Sequence, residues 1–397
     1  MLTTRFTDLI GCTIPIQQAP IGGCASPRLA AAVAEAGGLG MVSVTGDPPE
    51  IVAAQLDEAR RLSARPIGAH FFLLVTDRDS APESVAAAAE RAPVVDFFYA
   101  DPDPALVDIV HAAGALASWQ IGSEEEARVA ADAGCDFVIA QGIEAGGHGR
   151  GQTGLLPLLD AVLSAVDVPV LAAGGIGSGR SLAAVLAAGA DGARIGTRFV
   201  AAEEAEAHPR YVEALIAATP TDTVRSDTFA LDYPGAPHRA LRSSVEAVQA
   251  FQGDVIGELV DPTDGARVPV RRFQKLTITR HVSGAIEANR PRARRRGRAA
   301  APALGPGGGP VGGRLTARRP LSLVVDCAGY RELASSVVGR SPAAATGEPD
   351  RSLRRGHRCP PAPRGGRGQG RMFALWRKTL SESYARLIST NRWKLSP

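Results

Sequence analysis

Short runs of β-branched and aromatic residues alternate with alanine-rich segments along much of the chain. The runs that favour strands are TIPIQQ, GLGMVSV, PIGAHFFLL, VVDFFYA, ALASWQ, CDFVIAQ, VPVLAAG and GARIGT. Segments between them place apolar residues at helical spacing, as in SPRLAAAVAEAG, PPEIVAAQLDEARRLSA and SEEEARVAADAG. Ser26 before Pro27, and Ser123 before three glutamates, are typical helix starts. The alternation therefore predicts parallel strands joined by helices.

The number of these units indicates the fold. Eight strand–helix units within about 210 residues predict a (β/α)8 barrel, the TIM barrel of the α/β class. A doubly wound open sheet is the alternative, although no GxGxxG pattern follows the first strand. We expect a barrel over residues 1–220, a segment that packs on the barrel over 221–288, and a separate tail over 289–397.

Charge and composition change abruptly where the tail begins. Residues 289–397 contain 23 Lys and Arg against 5 Asp and Glu, whereas residues 1–288 contain 21 against 36. The tail is rich in Arg, Gly and Pro and has few apolar residues to bury, so we expect it to be disordered. A shifted reading frame or a fused extension would explain the change. We do not expect nucleic-acid binding, because the tail lacks a recognised motif.

The cysteines and the hydropathy of the chain indicate its cellular compartment. The five cysteines are scattered and no pair has metal-binding spacing, so we expect reduced thiols, a cytoplasmic protein and no metal site. No apolar run approaches the roughly 18 residues that a membrane span needs. The start, MLTTRFTDLIG, lacks the apolar core of a secretion signal. We therefore expect no membrane partner, while a monomer and a homodimer both remain open.

Three glycine-rich loops follow the last three predicted strands. They read QGIEAGGHGRG, AAGGIGSGRS and RIGTRF. Loops after the strands form the active sites of TIM barrels, and those after the seventh and eighth strands commonly bind phosphate through backbone N–H groups. Glycine also lets the backbone approach a flat ligand closely. The pattern predicts a phosphate-bearing cofactor with His148 near its reactive part.

Four motifs in this order resemble the nitronate monooxygenases, formerly called 2-nitropropane dioxygenases. They are QAP after the first strand, QGIEAGGHGRG after the sixth, AAGGI after the seventh and GTRF after the eighth. DTVRSDTFALDYPGAPHRALRSS, from Asp222 to Ser244, also looks like the segment after the barrel in this family. Each motif alone is weak, but the ordered set is specific and covers residues 5–288. The resemblance implies a TIM barrel that binds FMN.

The resemblance also implies roles for individual residues. His148 matches the catalytic histidine of the family. Ile21 stands where the family usually has Met, a change that a backbone contact would tolerate. His70 stands where the family usually has Asn, and it can still donate one hydrogen bond. The implied FMN contacts are Gln18, Ala19, Pro20, Ile21, His70, Gln141, Gly146, Gly147, Gly174, Gly175, Ile195, Gly196 and Thr197.

The implied activity is oxidation of an alkyl nitronate by FMN and O2 to a carbonyl compound and nitrite. His148 would hold the nitronate oxygens as a cation, or remove the α-proton of a neutral nitroalkane. FMN-dependent enoyl-acyl-carrier-protein reductases are the alternative, because they share the barrel, the GGI loop and a GGH histidine. In that case NADH would supply the electrons, and His148 would help to protonate an enoyl thioester.

Overall fold

A computed structural model describes the protein over residues 3–74, 76, 81–231, 235–260, 265–274, 276 and 278–288. The tail over residues 289–397, for which the sequence predicts disorder, lies outside the described residues. Within the described ranges, no helix combines the length and the apolar character needed to span a membrane.

Strands alternate with helices along the chain, as the sequence predicts. The strands are β1 (Ile16–Gln18), β2 (Gly40–Ser43), β3 (Ile67–Phe72), β4 (Val94–Phe98), β5 (Leu116–Ile121), β6 (Phe137–Gln141), β7 (Gly147–His148), β8 (Val170–Ala173), β9 (Gly192–Ile195), β10 (Thr223–Ser226), β11 (His238–Leu241), β12 (Val255–Val260), β13 (Arg267–Arg271) and β14 (Val282–Gly284).

The helices surround the strands and begin at residues that favour helix starts. Ser26 and Ser123 cap α2 and α6, each accepting a backbone N–H from the first turn, as predicted. The α-helices are α1 (Arg5–Ile10), α2 (Pro27–Glu35), α3 (Pro49–Leu62), α4 (Ala81–Ala89), α5 (Pro104–Ala112), α6 (Glu124–Asp132), α7 (Leu155–Ala165), α8 (Gly179–Ala187), α9 (Thr197–Val200), α10 (Pro209–Ala217) and α11 (Arg242–Ala250). Short 3-10 helices cover Pro220–Asp222 and Ile286–Ala288.

Eight parallel strands close into a barrel. Along the sheet their order is β1, β9, β8, β6, β5, β4, β3 and β2. A parallel backbone bridge between Gln17 and Leu39 joins β1 to the start of β2, so the two ends of this order meet. The fold is therefore the predicted (β/α)8 TIM barrel, and the open doubly wound sheet is excluded.

Outward-facing side chains of the strands pack against the helices. The rings of Phe97 and Trp119, on adjacent strands, have centroids 4.8 Å apart, and Phe71 stacks on Phe97 at 6.0 Å. All three side chains are completely buried. Burial of each such side chain contributes about 1.5–3 kcal/mol relative to exposure. This outer core stabilises the scaffold that holds the loops at the strand ends.

The inside of the barrel has two halves. Toward the amino-terminal strand ends lies the lower interior, an apolar group that includes Phe6, Leu39, Val94 and Phe137. Phe6 belongs to α1 and meets Phe137 edge-on at 5.6 Å, so α1 closes this end of the barrel. Toward the carboxyl-terminal strand ends lies the upper interior, a group of buried polar residues: Gln17, His70, Asp96, Ser118, Gln120, Gln141 and Arg194.

Chain beyond the barrel forms two small antiparallel sheets. β10 pairs with β11, and β11 pairs with β7, the two-residue strand after β6. β12 lies between β13 and β14 in the second sheet. The second sheet shares a small apolar core with α11, in which Val248 and Ile256 are buried. The pairing of β11 with β7 joins this part of the chain to the loop that carries His148.

Candidate functional site

The loops that follow β6, β8 and β9 meet at the carboxyl-terminal end of the barrel, here called the mouth. A methyl group placed on Gly146 would lie 3.1 Å from Oγ1 of Thr197. One placed on Gly174 would lie 3.0 Å from the backbone nitrogen of Ala145. These separations leave little room for a larger residue. The structure thus brings together residues that the sequence places in three separate loops.

Backbone donors are available in the loops after β8 and β9. Gly174 and Gly175 have φ angles of +115° and +68°, which other residues rarely adopt. This turn leads into α8, whose N-terminus is capped by Ser178. The backbone N–H groups of Gly175, Ile176 and Thr197 have no hydrogen-bond acceptor among the described residues. Donors near helix starts favour anions, so these two loops can hold a phosphate group.

The turn after β1 lies beside the loop after β9. The N–H of Ala19 donates to the oxygen of Ile195 at 2.7 Å, and the N–H of Ile21 donates to the oxygen of Ala19 at 2.9 Å. A methyl group on Gly196 would lie 3.3 Å from Cβ of Ala19. Ala19, Pro20 and Ile21 are half-buried. The adjacent strands β1 and β9 therefore present their predicted contact residues on one side of the mouth.

Side chains hold the loop after β6 in place. Gln141, at the end of β6, donates from Nε2 to the backbone oxygen of His148 at 2.9 Å. Arg239 of β11 donates two hydrogen bonds to the oxygen of Ile143. Glu144 accepts the first backbone N–H of α7 at 3.0 and 3.2 Å. Glu144 is thus a helix-capping residue, and the chain itself determines the shape of this loop.

His148 is oriented by the segment after the barrel. Gly147 and His148 form β7, opposite Arg239 and His238 of β11. Nδ1 of His148 is 2.9 Å from the backbone oxygen of Ala236. Because a carbonyl oxygen can only accept a hydrogen bond, Nδ1 carries a proton, and in the neutral ring Nε2 carries the lone pair. This tautomer makes Nε2 the basic nitrogen that proton removal requires.

Aromatic rings form a wall around His148. The ring centroids of Phe72, Tyr99 and His238 lie 5.3, 5.8 and 5.4 Å from that of His148. Tyr99, which follows β4, has a φ angle of +70°, an uncommon value for a residue with a side chain. Burial raises the pKa of the Tyr99 hydroxyl, so the hydroxyl stays neutral. The wall beside His148 is therefore largely apolar and carries no negative charge from Tyr99.

A buried polar network occupies the upper interior. Nδ1 of His70 donates to Oδ2 of Asp96 at 2.5 Å, and the hydroxyl of Ser118 donates to Oδ1 at 2.9 Å. Arg194 reaches Asp96 from β9, with Nη2 2.7 Å from Oδ1. This contact is a buried ion pair. One carboxylate therefore connects side chains from three other strands.

The charges within this network balance. Arg194 donates from Nε to Gln17 and from Nη1 to Gln120, both at 2.8 Å. Burial opposes ionisation of Asp96, but Arg194 and His70 outweigh it and lower the pKa of the carboxyl group. Burial lowers the pKa of His70, although the hydrogen bond to Asp96 opposes this. Asp96 is thus negative and His70 neutral, with its proton on Nδ1, while Arg194 is positive.

Two glutamines at strand ends differ in how the protein uses their side chains. Oε1 of Gln18 accepts the N–H of Met41 at 3.0 Å, and Nε2 donates to the oxygen of Ala19 at 2.6 Å. The Gln18 side chain therefore already has partners. Gln141 is 6% exposed, and its Oε1 has no hydrogen-bond partner within the described ranges. A buried oxygen without a donor is costly, so this atom retains the capacity to accept a hydrogen bond.

The network in the upper interior was not predicted from the sequence. Asp96 lies in VVDFF and Arg194 in GARIG, each a charged residue inside an apolar strand. That pattern was a usable signal, because a buried charge requires a partner. His238 was missed for another reason, since no local pattern indicates that it lies opposite His148. The predicted contact residues surround one mouth, but their roles toward a cofactor stay predictions.

Comparisons with known proteins show which family and which structures the chain resembles. A family model described as nitronate monooxygenase matches residues 3–254. A hydroxy-methyl-oxo-octahydroindene-carboxyl-CoA dehydrogenase from Rhodococcus jostii is 35% identical over 257 residues, which are 64% of this chain and 70% of that protein. A nitroalkane oxidase from Streptomyces ansochromogenes is 35% identical, with a TM-score of 0.54 over 60% of this chain and 80% of its own. A variant of FabK from Thermotoga maritima is 35% identical, with a TM-score of 0.56 over 61% and 78%.

Proposed function

The chain belongs to the nitronate monooxygenase family, and from this premise we propose that it binds FMN and oxidises alkyl nitronates with O2. The products would be a carbonyl compound and nitrite. One observation carries the proposal: three glycine-rich loops meet beside His148, above a buried polar layer. Backbone donors without acceptors, a histidine and neighbouring aromatic side chains suit a flavin and a small anionic substrate.

The described residues fit FMN at two points. Backbone N–H groups of Gly175, Ile176 and Thr197 would hold the phosphate. Oε1 of Gln141 would accept a hydrogen bond from a ring N–H. When bound, FMN supplies the electron acceptor for the substrate and the electron donor for O2. The protein supplies position, local charge and an apolar wall.

His148 acts on the substrate. Because Nδ1 donates to Ala236, Nε2 can remove the α-proton of a neutral nitroalkane. Once protonated, the same nitrogen can donate a hydrogen bond to the nitronate oxygens. Phe72 and Tyr99 cover one side of the histidine and suit the alkyl part of the substrate. The same residue therefore serves both neutral nitroalkanes and preformed nitronates.

The absorption spectrum of the purified protein tests the cofactor. Heat should release a yellow chromophore that mass spectrometry identifies as FMN. The FMN-loaded protein should consume ethylnitronate and O2 and produce nitrite. Colourless protein that takes up no added FMN would contradict the cofactor, and FMN-loaded protein that leaves ethylnitronate unchanged would contradict the substrate.

A second candidate is reduction of an enoyl thioester with NADH. It is supported by similarity to a carboxyl-CoA dehydrogenase and to FabK, both at 35% identity. In this reaction His148 would donate a proton to the substrate. The two candidates are separated by comparing NADH consumption with a crotonyl thioester and O2 uptake with ethylnitronate. The faster of the two reactions identifies the substrate class.

A further inference from the structure

His70 lies between the polar network and the mouth. Only 5% of the residue is exposed. Its Nδ1 donates to Asp96, whereas Nε2 has no hydrogen bond to any described residue. Protein atoms do not enclose Nε2 completely. The small exposed part of His70 therefore includes Nε2, on a strand that ends two residues later at the mouth.

A second polar atom in the same layer independently indicates a ligand. Gln141 is 6% exposed, and its Oε1 has no hydrogen-bond partner in the described part of the chain. Gln141 ends β6, whereas His70 lies on β3. Two nearly buried side chains from separate strands thus carry polar atoms that are not hydrogen-bonded to any described residue.

The network determines which charge His70 can carry. Arg194 and Asp96 already compensate each other, so a proton on Nε2 would add an unbalanced positive charge in a buried place. Burial accordingly keeps the pKa of His70 below its usual range. Its neighbour on β2, Ser43, has no ionisable group. A negative charge brought to the mouth by a ligand would make the protonated form of His70 favourable.

We propose that His70 is a proton-accepting residue for bound FMN, taking up one proton at Nε2 when the flavin is reduced and releasing it on reoxidation. The inference rests on the proposed function, because it requires FMN in this site. Two electrons, from substrate or from dithionite, add negative charge to the ring. The proton comes from solvent, and the N–H bond at Nε2 is the bond that forms on His70. Asp96 and Arg194 act as positioning residues, since they hold the imidazole through Nδ1.

Nitrogen NMR tests this directly in the FMN-loaded protein with isotope-labelled histidine. Spectra are recorded without O2, before and after reduction with dithionite. A neutral imidazole gives two well-separated nitrogen signals, whereas an imidazolium gives two similar ones. We expect the His70 signals, assigned by their loss in His70→Asn, to change from the neutral to the imidazolium pattern. Signals that stay neutral after full reduction would overturn the proposal.

Proton uptake provides a second readout, measured with a pH indicator in weakly buffered solution. His111→Asn is the matched control, because His111 also contacts an aspartate, Asp136 at 3.0 Å, but lies exposed on α5. We expect His70→Asn to lose one proton of uptake per FMN reduced, and His111→Asn to match the wild type. Equal uptake in all three would overturn the inference and leave the proposed function standing. A protein that binds no FMN would overturn both.

Discussion

The two halves of the barrel interior are enclosed by the same sheet but have opposite chemistry. In the lower interior, Phe6, Leu39 and Phe137 are completely buried and apolar. In the upper interior, Asp96 and Arg194 are almost as buried, yet both are charged. Apolar packing stabilises a fold directly, whereas removing two charges from water costs about as much as their attraction returns. The upper interior is therefore better explained by the site above it than by stability.

The comparison also shows where substitutions should be tolerated. A cavity in the lower interior removes packing but leaves the loops at the mouth unchanged. A change in the upper interior alters charge directly below the predicted cofactor site. Stability and function should therefore respond differently to substitutions at the two ends.

The largest contrast is expected between His148→Ala at the mouth and Phe137→Ala in the lower interior. Loss of the general base should lower turnover of neutral nitroethane about 10²–10⁴-fold. Turnover of ethylnitronate should fall less, because its proton is already removed. Phe137→Ala should instead destabilise the protein by about 3–5 kcal/mol and leave kcat of the folded protein nearly unchanged. Steady-state rates and urea unfolding measure the two effects. Full activity of His148→Ala on both substrates would mean that its loop serves the cofactor alone.

A second contrast concerns charge in the upper interior. Asp96→Ala leaves Arg194 buried without its counter-ion, which should lower the free energy of unfolding by about 3–5 kcal/mol. Glu258→Ala is the control, because it removes an ion pair with Arg267 in which both side chains are exposed. Exposed pairs contribute about 0–1 kcal/mol. Urea unfolding of both variants measures the difference, and equal costs would contradict the buried charge balance described here.

A smaller effect is expected from glycines at the mouth. Gly174→Ala forces a side chain into a left-handed conformation, at a cost of about 1–2 kcal/mol, and crowds the backbone nitrogen of Ala145. The affinity for FMN should also fall in Gly174→Ala, because the same turn presents the backbone N–H groups that would bind the phosphate. Gly177→Ala is the matched control, since a methyl group there would meet nothing within 4 Å. Fluorescence titration with FMN should separate the two variants, and equal affinities would count against the phosphate site.

The smallest effect is a dependence of stability on pH. The lowered pKa of His70 means that the unfolded chain binds more protons than the folded chain below about pH 6.5. The free energy of unfolding therefore has its full value above that pH. It falls by at most about 1.4 kcal/mol per pH unit as the pH drops toward the folded-state pKa. His70→Asn should remove this part of the acid sensitivity. Unfolding free energies at pH 7.5, 6 and 5 measure it, and identical pH profiles for wild type and variant would contradict a neutral His70.

Local patterns in the sequence were sufficient for the barrel. Strand and helix periodicities depend on neighbouring residues, and helix starts such as Ser26 and Ser123 act through hydrogen bonds within the first turn. The glycine-rich loops were predictable for the same reason, because Gly174 and Gly175 occupy backbone conformations that glycine adopts easily. Their common location followed from the rule that strand ends of a parallel barrel form one face.

Only the tertiary structure decided what surrounds the two histidines. His148 lies in a strand because β11 pairs with β7, and its tautomer depends on Ala236, far along the chain. His70 is neutral because closure of the barrel buries its ring and places Arg194 beside Asp96, where Arg194 compensates the carboxylate charge. The sequence by itself determined which segments form strands, helices and open loops, since those preferences are local. The charge and orientation of groups at the mouth depend on contacts between distant residues, which exist only once the barrel has closed.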